Sequence, residues 1–292
     1  MASRQDRLVD FFVVGAQKAG TTALDAYLRE HPGIRMADRK EVHYFDDESI
    51  DWHAPDTAPL HGCFDWRAGD AVARGEATPI YAYWPRALER IARYHPRARL
   101  IMALRHPAHR AFSHWRMEVR RGAEDLAFAA AISATGRLRV SAAPDGVHRV
   151  HSYVERGFYA GQVERALALF GRSRVLFLRT DRLWTDPAAT LAEVHGFLGA
   201  APLPPAASRY VAPRVPSAGG IIPEAPAAGL VRSLTELYAS DIARTECLTG
   251  LSLSDWLAPD YREPMTPTPR SRWSPAFGAA SLEGVPTFAA GR

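Results

Sequence analysis

Residues 11–28, FFVVGAQKAGTTALDAYL, constrain this chain more than any other stretch, because a buried strand, a glycine-bracketed turn and a helix start follow one another without a break. Phe11, Phe12, Val13 and Val14 form the short apolar run of a parallel strand covered on both faces. Gly15 and Gly20 then bracket Ala16, Gln17, Lys18 and Ala19. Thr21 and Thr22 open an amphipathic stretch in which Ala23, Leu24, Tyr27 and Leu28 fall at helical spacing. Free backbone N–H groups at such a helix start, with the positive end of the helix dipole behind them, make a site for phosphate or a similar anion.

The spacing invites comparison with the nucleotide-binding pattern G-x-x-x-x-G-K-[ST]. Thr21 stands where that pattern has Lys, however, and the cation of this loop, Lys18, lies between the glycines. In NTPases the Lys after the second Gly reaches the β and γ phosphates, and the next hydroxyl holds magnesium. A cation in mid-loop would sit instead over a bridging or leaving-group oxygen.

Further strand-helix units follow. Residues 100–104, LIMAL, read as a second buried strand, with Arg105 at its carboxyl end and Pro107 in the first turn of a helix that carries Ser113. Residues 175–178, VLFL, read as a third, and residues 75–78 as a short extended segment. Helices are expected over residues 85–94, 124–135, 157–170, 187–198 and 230–248, with residues 136–150 irregular. The alternation gives an α/β fold of three layers, α/β/α, around a mostly parallel sheet. Residues 1–257 form one domain on this reading, and the Pro-, Ser- and Ala-rich residues 258–292 a loosely packed or flexible tail. In open parallel sheets ligands bind beyond the carboxyl ends of the strands, so Gly15 and Arg105 are expected on one rim.

Residues 40–47, KEVHYFDD, carry two potential bases, Glu41 and His43, two positions apart. An extended backbone would put both on one face. The aromatic-rich connections around Trp52, Trp66, Tyr81, Tyr83 and Trp84 read either as core or as an acceptor pocket that stacks on a ring or sugar face.

Composition bounds the partners. The 36 Lys and Arg against 32 Asp and Glu give a formal charge of +4, which favours anionic ligands. With no basic block interleaved with aromatics, nucleic acid is not expected as a partner. The two cysteines, Cys63 and Cys247, lie far apart and outside any metal-binding spacing. No apolar run is long enough for a membrane span or a signal peptide, so the expected location is cytoplasmic.

Four motifs in order resemble those of the sulfotransferases that use 3′-phosphoadenosine 5′-phosphosulfate (PAPS), above all the carbohydrate branch with the heparan sulfate sulfotransferases and their bacterial relatives. GAQKAGTT (15–22) is similar to the loop that binds the 5′-phosphosulfate, and KEVHYFD (40–46) to the segment carrying the catalytic Glu. LRHPAHRAFSHW (104–115) resembles the 3′-phosphate motif, in which an Arg and a Ser eight residues on, here Arg105 and Ser113, hold that phosphate. DRLWTDP (181–187) matches a further landmark. The resemblance spans residues 11–257 and implies a P-loop-like sulfotransferase fold.

It also implies in-line transfer of a sulfuryl group from PAPS to a hydroxyl, or an amine, of a sugar-containing or natural-product acceptor, leaving adenosine 3′,5′-bisphosphate, with no metal required. Glu41 would be the base and Lys18 would stabilise the leaving oxygen; His43 could assist or take the base role. Where heparan sulfate 3-O-sulfotransferases have a Lys in the segment GEATP, this chain has Ala77. Arg214 in RYVAPRVPSAGG, or the basic PRSRW of residues 269–273, is the candidate adenine-side contact. The competing readings are a P-loop kinase or NTPase using magnesium-ATP and a nucleotide-binding protein without turnover.

Overall fold

The computed structural model describes residues 8–67, 71–205 and 223–264. Five strands form one sheet: β1 (Phe11–Gly15), β2 (Ile34–Met36), β3 (Ala73–Ala77), β4 (Arg99–Leu104) and β5 (Val175–Arg179). Their order is β2-β3-β1-β4-β5, and every neighbouring pair is parallel. The α-helices of the described chain are α1 (Thr21–Glu30), α2 (Ala58–His61), α3 (Ala87–Tyr94), α4 (Pro107–Arg120), α5 (Phe128–Ala131), α6 (Ala134–Ser141), α7 (Ala160–Phe170), α8 (Thr180–Thr185), α9 (Pro187–Leu198) and α10 (Ala228–Thr249). Strands sandwiched between helices have no wet face, which is why β1 and β4 are written in apolar residues: Phe11 to Val14 and Leu100 to Met102 are each 0% exposed.

β1 is the middle strand, with β3 on one side and β4 on the other. The chain leaves β1 toward one edge, returns through β3, and crosses over to β4 and β5. The crevice above β1 and β4 is therefore a switch point of the sheet, the place where parallel α/β folds bind ligands. Close packing of β1 on β3 depends on Gly75, since a Cβ there would stand 2.0 Å from the Phe11 ring.

The expected buried strands and most expected helices are present. The single helix expected over 124–135 is instead two, α5 and α6. Ser133 accounts for the break: its hydroxyl accepts the backbone N–H of Gly136 at 3.1 Å and so caps α6. That new start carries the helix into residues 136–141, expected to be irregular. β2, only three residues long, had no alternation to reveal it. Arg214 and residues 269–273 lie outside the described residues.

The expected tail begins on the body of the protein. The Tyr261 ring stacks on His106 with centroids 4.7 Å apart, and Glu263 reaches Arg105. Among the described residues no helix is long and apolar enough to cross a membrane.

Candidate active site

The loop after β1 turns over the carboxyl edge of the sheet. Lys18 takes a left-handed φ of 70° and Gly20 one of 83°, and α1 starts at Thr21. Glycine suits that second position, because such a φ strains a residue with a Cβ. Thr180, at the start of α8, fastens the loop to the sheet: its hydroxyl lies 2.7 Å from the Ala19 carbonyl and 3.0 Å from that of Leu104. Arg105 also donates to the Lys18 carbonyl, at 2.9 Å. Arg105 and the loop that follows Gly15, expected on one rim, are thus neighbours.

The Lys18 ammonium is half-buried beside α4, 3.6 Å from the Met117 sulfur. A thioether is a weak acceptor. Burial, and then the charge of Arg105, lower its pKa to about 8. A desolvated cation between other cations fits an anionic group. Arg105 lies over the Trp184 ring at 5.3 Å, and Ser113 is half-buried in the second turn of α4.

Residues 40–45 differ from expectation. They are not extended: Glu41 has a φ of 61° and His43 one of 59°. Five consecutive backbone N–H groups impose this shape. Glu41 donates to the Ala77 carbonyl at 3.0 Å, Val42 to the Glu76 carboxylate at 3.1 Å, and His43 to the Thr78 hydroxyl at 3.3 Å. Tyr44 and Phe45 donate to the Tyr81 hydroxyl at 3.0 and 3.4 Å. Left-handed residues of this kind persist only where their surroundings over-determine them. The chain leaving β3 does so, and the two side chains still meet, with His43 Nε2 3.7 Å from Glu41 Oε2.

The charges of this loop are interlocked. Burial alone would raise the Glu41 pKa, but the neighbouring His43 and the Lys40 ammonium, whose Nζ donates to it at 2.5 Å, hold the carboxyl well below the usual range. Burial works against a charge on His43, yet Asp46, 2.9 Å from Nδ1, and Glu41 more than reverse it and raise its pKa to about 9. Asp46 is fully buried and is held in turn by the Arg149 guanidinium. Near neutral pH the loop therefore carries a carboxylate at Glu41 and an imidazolium at His43.

Most of the aromatic connections form core. Phe12, Tyr44, Phe45, Trp52, Tyr81 and Tyr94 pack edge-to-face, tilted or stacked in one cluster. Trp66 packs on His61 and Phe64. Tyr83 and Trp84 differ: Arg156 lies over the first at 5.2 Å and Arg149 over the second at 4.2 Å. Residues 181–187 do structural work, since Arg179 holds Asp181 and the Asp186 side chain caps α9 by accepting from Ala189 at 3.1 Å.

Sequence reasoning missed Asp46, Glu76, Arg149, Arg156 and Thr180 as parts of the site. Asp46 lay in plain view, three residues after His43. The others reach the site through contacts 34 or more positions away in sequence, which no local pattern encodes.

Residues 79–204 match the family model described as "Sulfotransferase family". Bifunctional heparan sulfate N-deacetylase/N-sulfotransferase 3 of Homo sapiens is 31% identical over 215 residues, which is 68% of this chain and 23% of that protein. Heparan sulfate glucosamine 3-O-sulfotransferase 6 of Mus musculus is 31% identical over 196 residues, 66% of this chain and 53% of that one. The chain thus spans between about a quarter and a half of these curated relatives. Among solved structures, a sulfotransferase from Alicyclobacillus acidocaldarius is similar with a TM-score of 0.71 and 30% identity, covering 86% of this chain and 99% of its own. With near-complete coverage of that structure, and with the strand-loop-helix and the loop of Glu41 and His43 at one rim of a parallel sheet, the chain belongs to the sulfotransferase family.

Proposed function

We propose that the protein moves a sulfuryl group from PAPS to a hydroxyl of a sugar-containing acceptor, with Glu41 as general base. The observation that carries this reading is the placement of three groups at the carboxyl ends of β1, β3 and β4: Arg105 donates to the Lys18 carbonyl at 2.9 Å, and the Glu41 N–H is anchored on the Ala77 carbonyl at 3.0 Å. Residues 15–22 would receive the 5′-phosphosulfate on backbone N–H groups and Lys18. Arg105 and Ser113 would receive the 3′-phosphate, the guanidinium offering the paired donors that suit such a group. The names of the heparan sulfate relatives support a sugar as the acceptor class. Ala77 leaves this site without the cation that a Lys would supply there, which favours a less anionic acceptor than a sulfated glycosaminoglycan.

In the reaction, the acceptor oxygen attacks sulfur while the bond from sulfur to the bridging oxygen of the 5′-phosphate breaks. Glu41 takes the acceptor proton, and Lys18 stabilises the charge that collects on the leaving oxygen. The charges at the loop favour Glu41 over His43 as base, because an imidazolium with a pKa of about 9 has no free lone pair near neutral pH. His43 instead orients Glu41.

Calorimetric titration with adenosine 3′,5′-bisphosphate, beside magnesium-ATP and adenosine 5′-monophosphate, tests the donor assignment. Tight, metal-independent binding of the bisphosphate alone is expected; preference for magnesium-ATP would overturn it. Glu41→Gln should lower kcat by about two to four orders of magnitude with bisphosphate affinity nearly intact. A variant that keeps most of its activity would remove Glu41 from the base role.

A further inference from the structure

The anion loop and the base loop come from different parts of the chain, yet a continuous line of polar contacts joins them. Arg156 sits in the middle, 2% exposed. One terminal nitrogen donates to the side-chain oxygen of Gln17 in the anion loop. The other donates to the backbone carbonyls of Arg149 at 2.7 Å and His148 at 3.3 Å. Arg149 carries the line onward, its guanidinium donating to both the carboxylate and the backbone carbonyl of Asp46. Asp46 holds His43, and His43 approaches Glu41.

Arg156 is an expensive residue to place here. Its hydrogen bonds among the described residues go to three neutral oxygens and none to a carboxylate, and its Nε is buried without a partner. Burial, and then the neighbouring Arg110, lower its pKa to about 10. A buried cation without a carboxylate partner carries a desolvation cost that hydrogen bonds to neutral oxygens offset only in part. Both ends of its contacts lead to the reacting groups.

We propose that Arg156 and Arg149 are positioning residues for sulfuryl transfer, forming a brace that sets the distance and angle between the donor loop at Gln17 and the base at Glu41. In-line transfer needs the donor sulfur, the acceptor oxygen and the base in one line, and displacement of about 1 Å can cost about 100-fold in rate. The brace rests on the reading of residues 15–22 as the donor loop and Glu41 as the base. It goes beyond that reading by assigning two residues that touch neither the donor nor the acceptor proton.

The test uses full-length protein. Arg149→Met removes one link at a half-exposed position, and thermal unfolding beside wild type reads whether the variant keeps its fold. The expected result is a kcat about 10- to 100-fold lower, with the Kd for adenosine 3′,5′-bisphosphate within about 2-fold of wild type. Arg149→Lys should recover part of the loss.

The pH profile separates positioning from a general structural role. The groups facing His43 and Asp46 are Glu41 on the same loop, Glu76 from β3, Tyr81 beyond it, and Arg149. Loss of the Arg149 charge makes protons harder to remove from Asp46 and His43. The limb belonging to His43, near pH 9 in wild type, should therefore move upward in Arg149→Met.

At the other end, Gln17→Ala should lower kcat, and the double variant should be little worse than the worse single one, as expected for parts of one unit. This arm also stands in for Arg156→Met should that variant not fold. An unchanged kcat and pH profile in Arg149→Met, with Glu41→Gln inactive, would overturn the brace and leave the base assignment standing. Losses that multiply in the double variant would also overturn it. An active Glu41→Gln would overturn the base reading itself.

Discussion

Glu263 grips Arg105 with both carboxylate oxygens, Nε to Oε1 at 2.6 Å and Nη2 to Oε2 at 2.5 Å. The pair is largely shielded, at 17% and 14% side-chain exposure. A carboxylate held by two parallel N–H donors occupies the same directions that a phosphate would take on that guanidinium.

If Arg105 receives the donor 3′-phosphate, the phosphate exchanges places with Glu263. Glu263→Gln should then tighten adenosine 3′,5′-bisphosphate binding by about 10-fold, the scale of one charge-assisted hydrogen bond. Arg105→Ala should weaken it by at least as much. Adenosine 5′-monophosphate, lacking the 3′-phosphate, should respond to neither change. Calorimetry with both nucleotides reads this directly, and equal effects on the two would place the 3′-phosphate away from Arg105.

Lys18 gives binding a pH dependence of predictable sign. Its pKa of about 8, set by burial and then by Arg105, rises when an anion binds beside it. Below pH 8 the ammonium is already charged, and binding moves no proton. Above pH 8 binding must take up a proton, so bisphosphate affinity falls as pH rises, by at most about 10-fold per pH unit. Titrations in buffers of different ionisation enthalpy measure the uptake. Lys18→Met should abolish it, and a wild type that takes up no proton at pH 9 would exclude Lys18 from contact with the anion.

Glu76 makes a parallel prediction for stability. It is fully buried beneath the base loop, and burial, offset in part by Thr78 and Val42, raises its pKa from 4.5 to about 7. An acid whose folded pKa is raised binds more protons folded than unfolded between those values. Its contribution to stability therefore declines as pH rises from about 4.5 to 7. Glu76→Gln keeps the acceptor for the Val42 N–H and removes the titration, so it should gain on wild type between pH 5 and pH 8 in denaturant unfolding. Glu76→Ala leaves that N–H unpaired and should lose about 1–3 kcal/mol at pH 5. A constant difference between wild type and Glu76→Gln across this range would contradict the assignment.

Much of this protein is legible from residue order alone. The apolar runs at Phe11 to Val14 and Leu100 to Leu104 dictate strands buried on both faces, because no amphipathic sheet could use them. Gly15, Gly20 and Thr21 dictate a turn onto a helix start, since local backbone sterics and free N–H groups require nothing distant. The rim that gathers Lys18 and Arg105 follows from parallel strand order. Local spacing also brought Glu41 and His43 together, though through a backbone it did not foresee. An extended segment and a twice left-handed loop can both pair residues two apart. Only the N–H anchors on Glu76, Ala77, Thr78 and Tyr81 decide between them. The charge state of the base pair, the exchange partner of Arg105 and the line through Arg156 and Arg149 were likewise decided by tertiary structure. Each depends on burial and on groups far apart in the chain, and desolvation and long-range hydrogen bonds have no signature in sequence spacing.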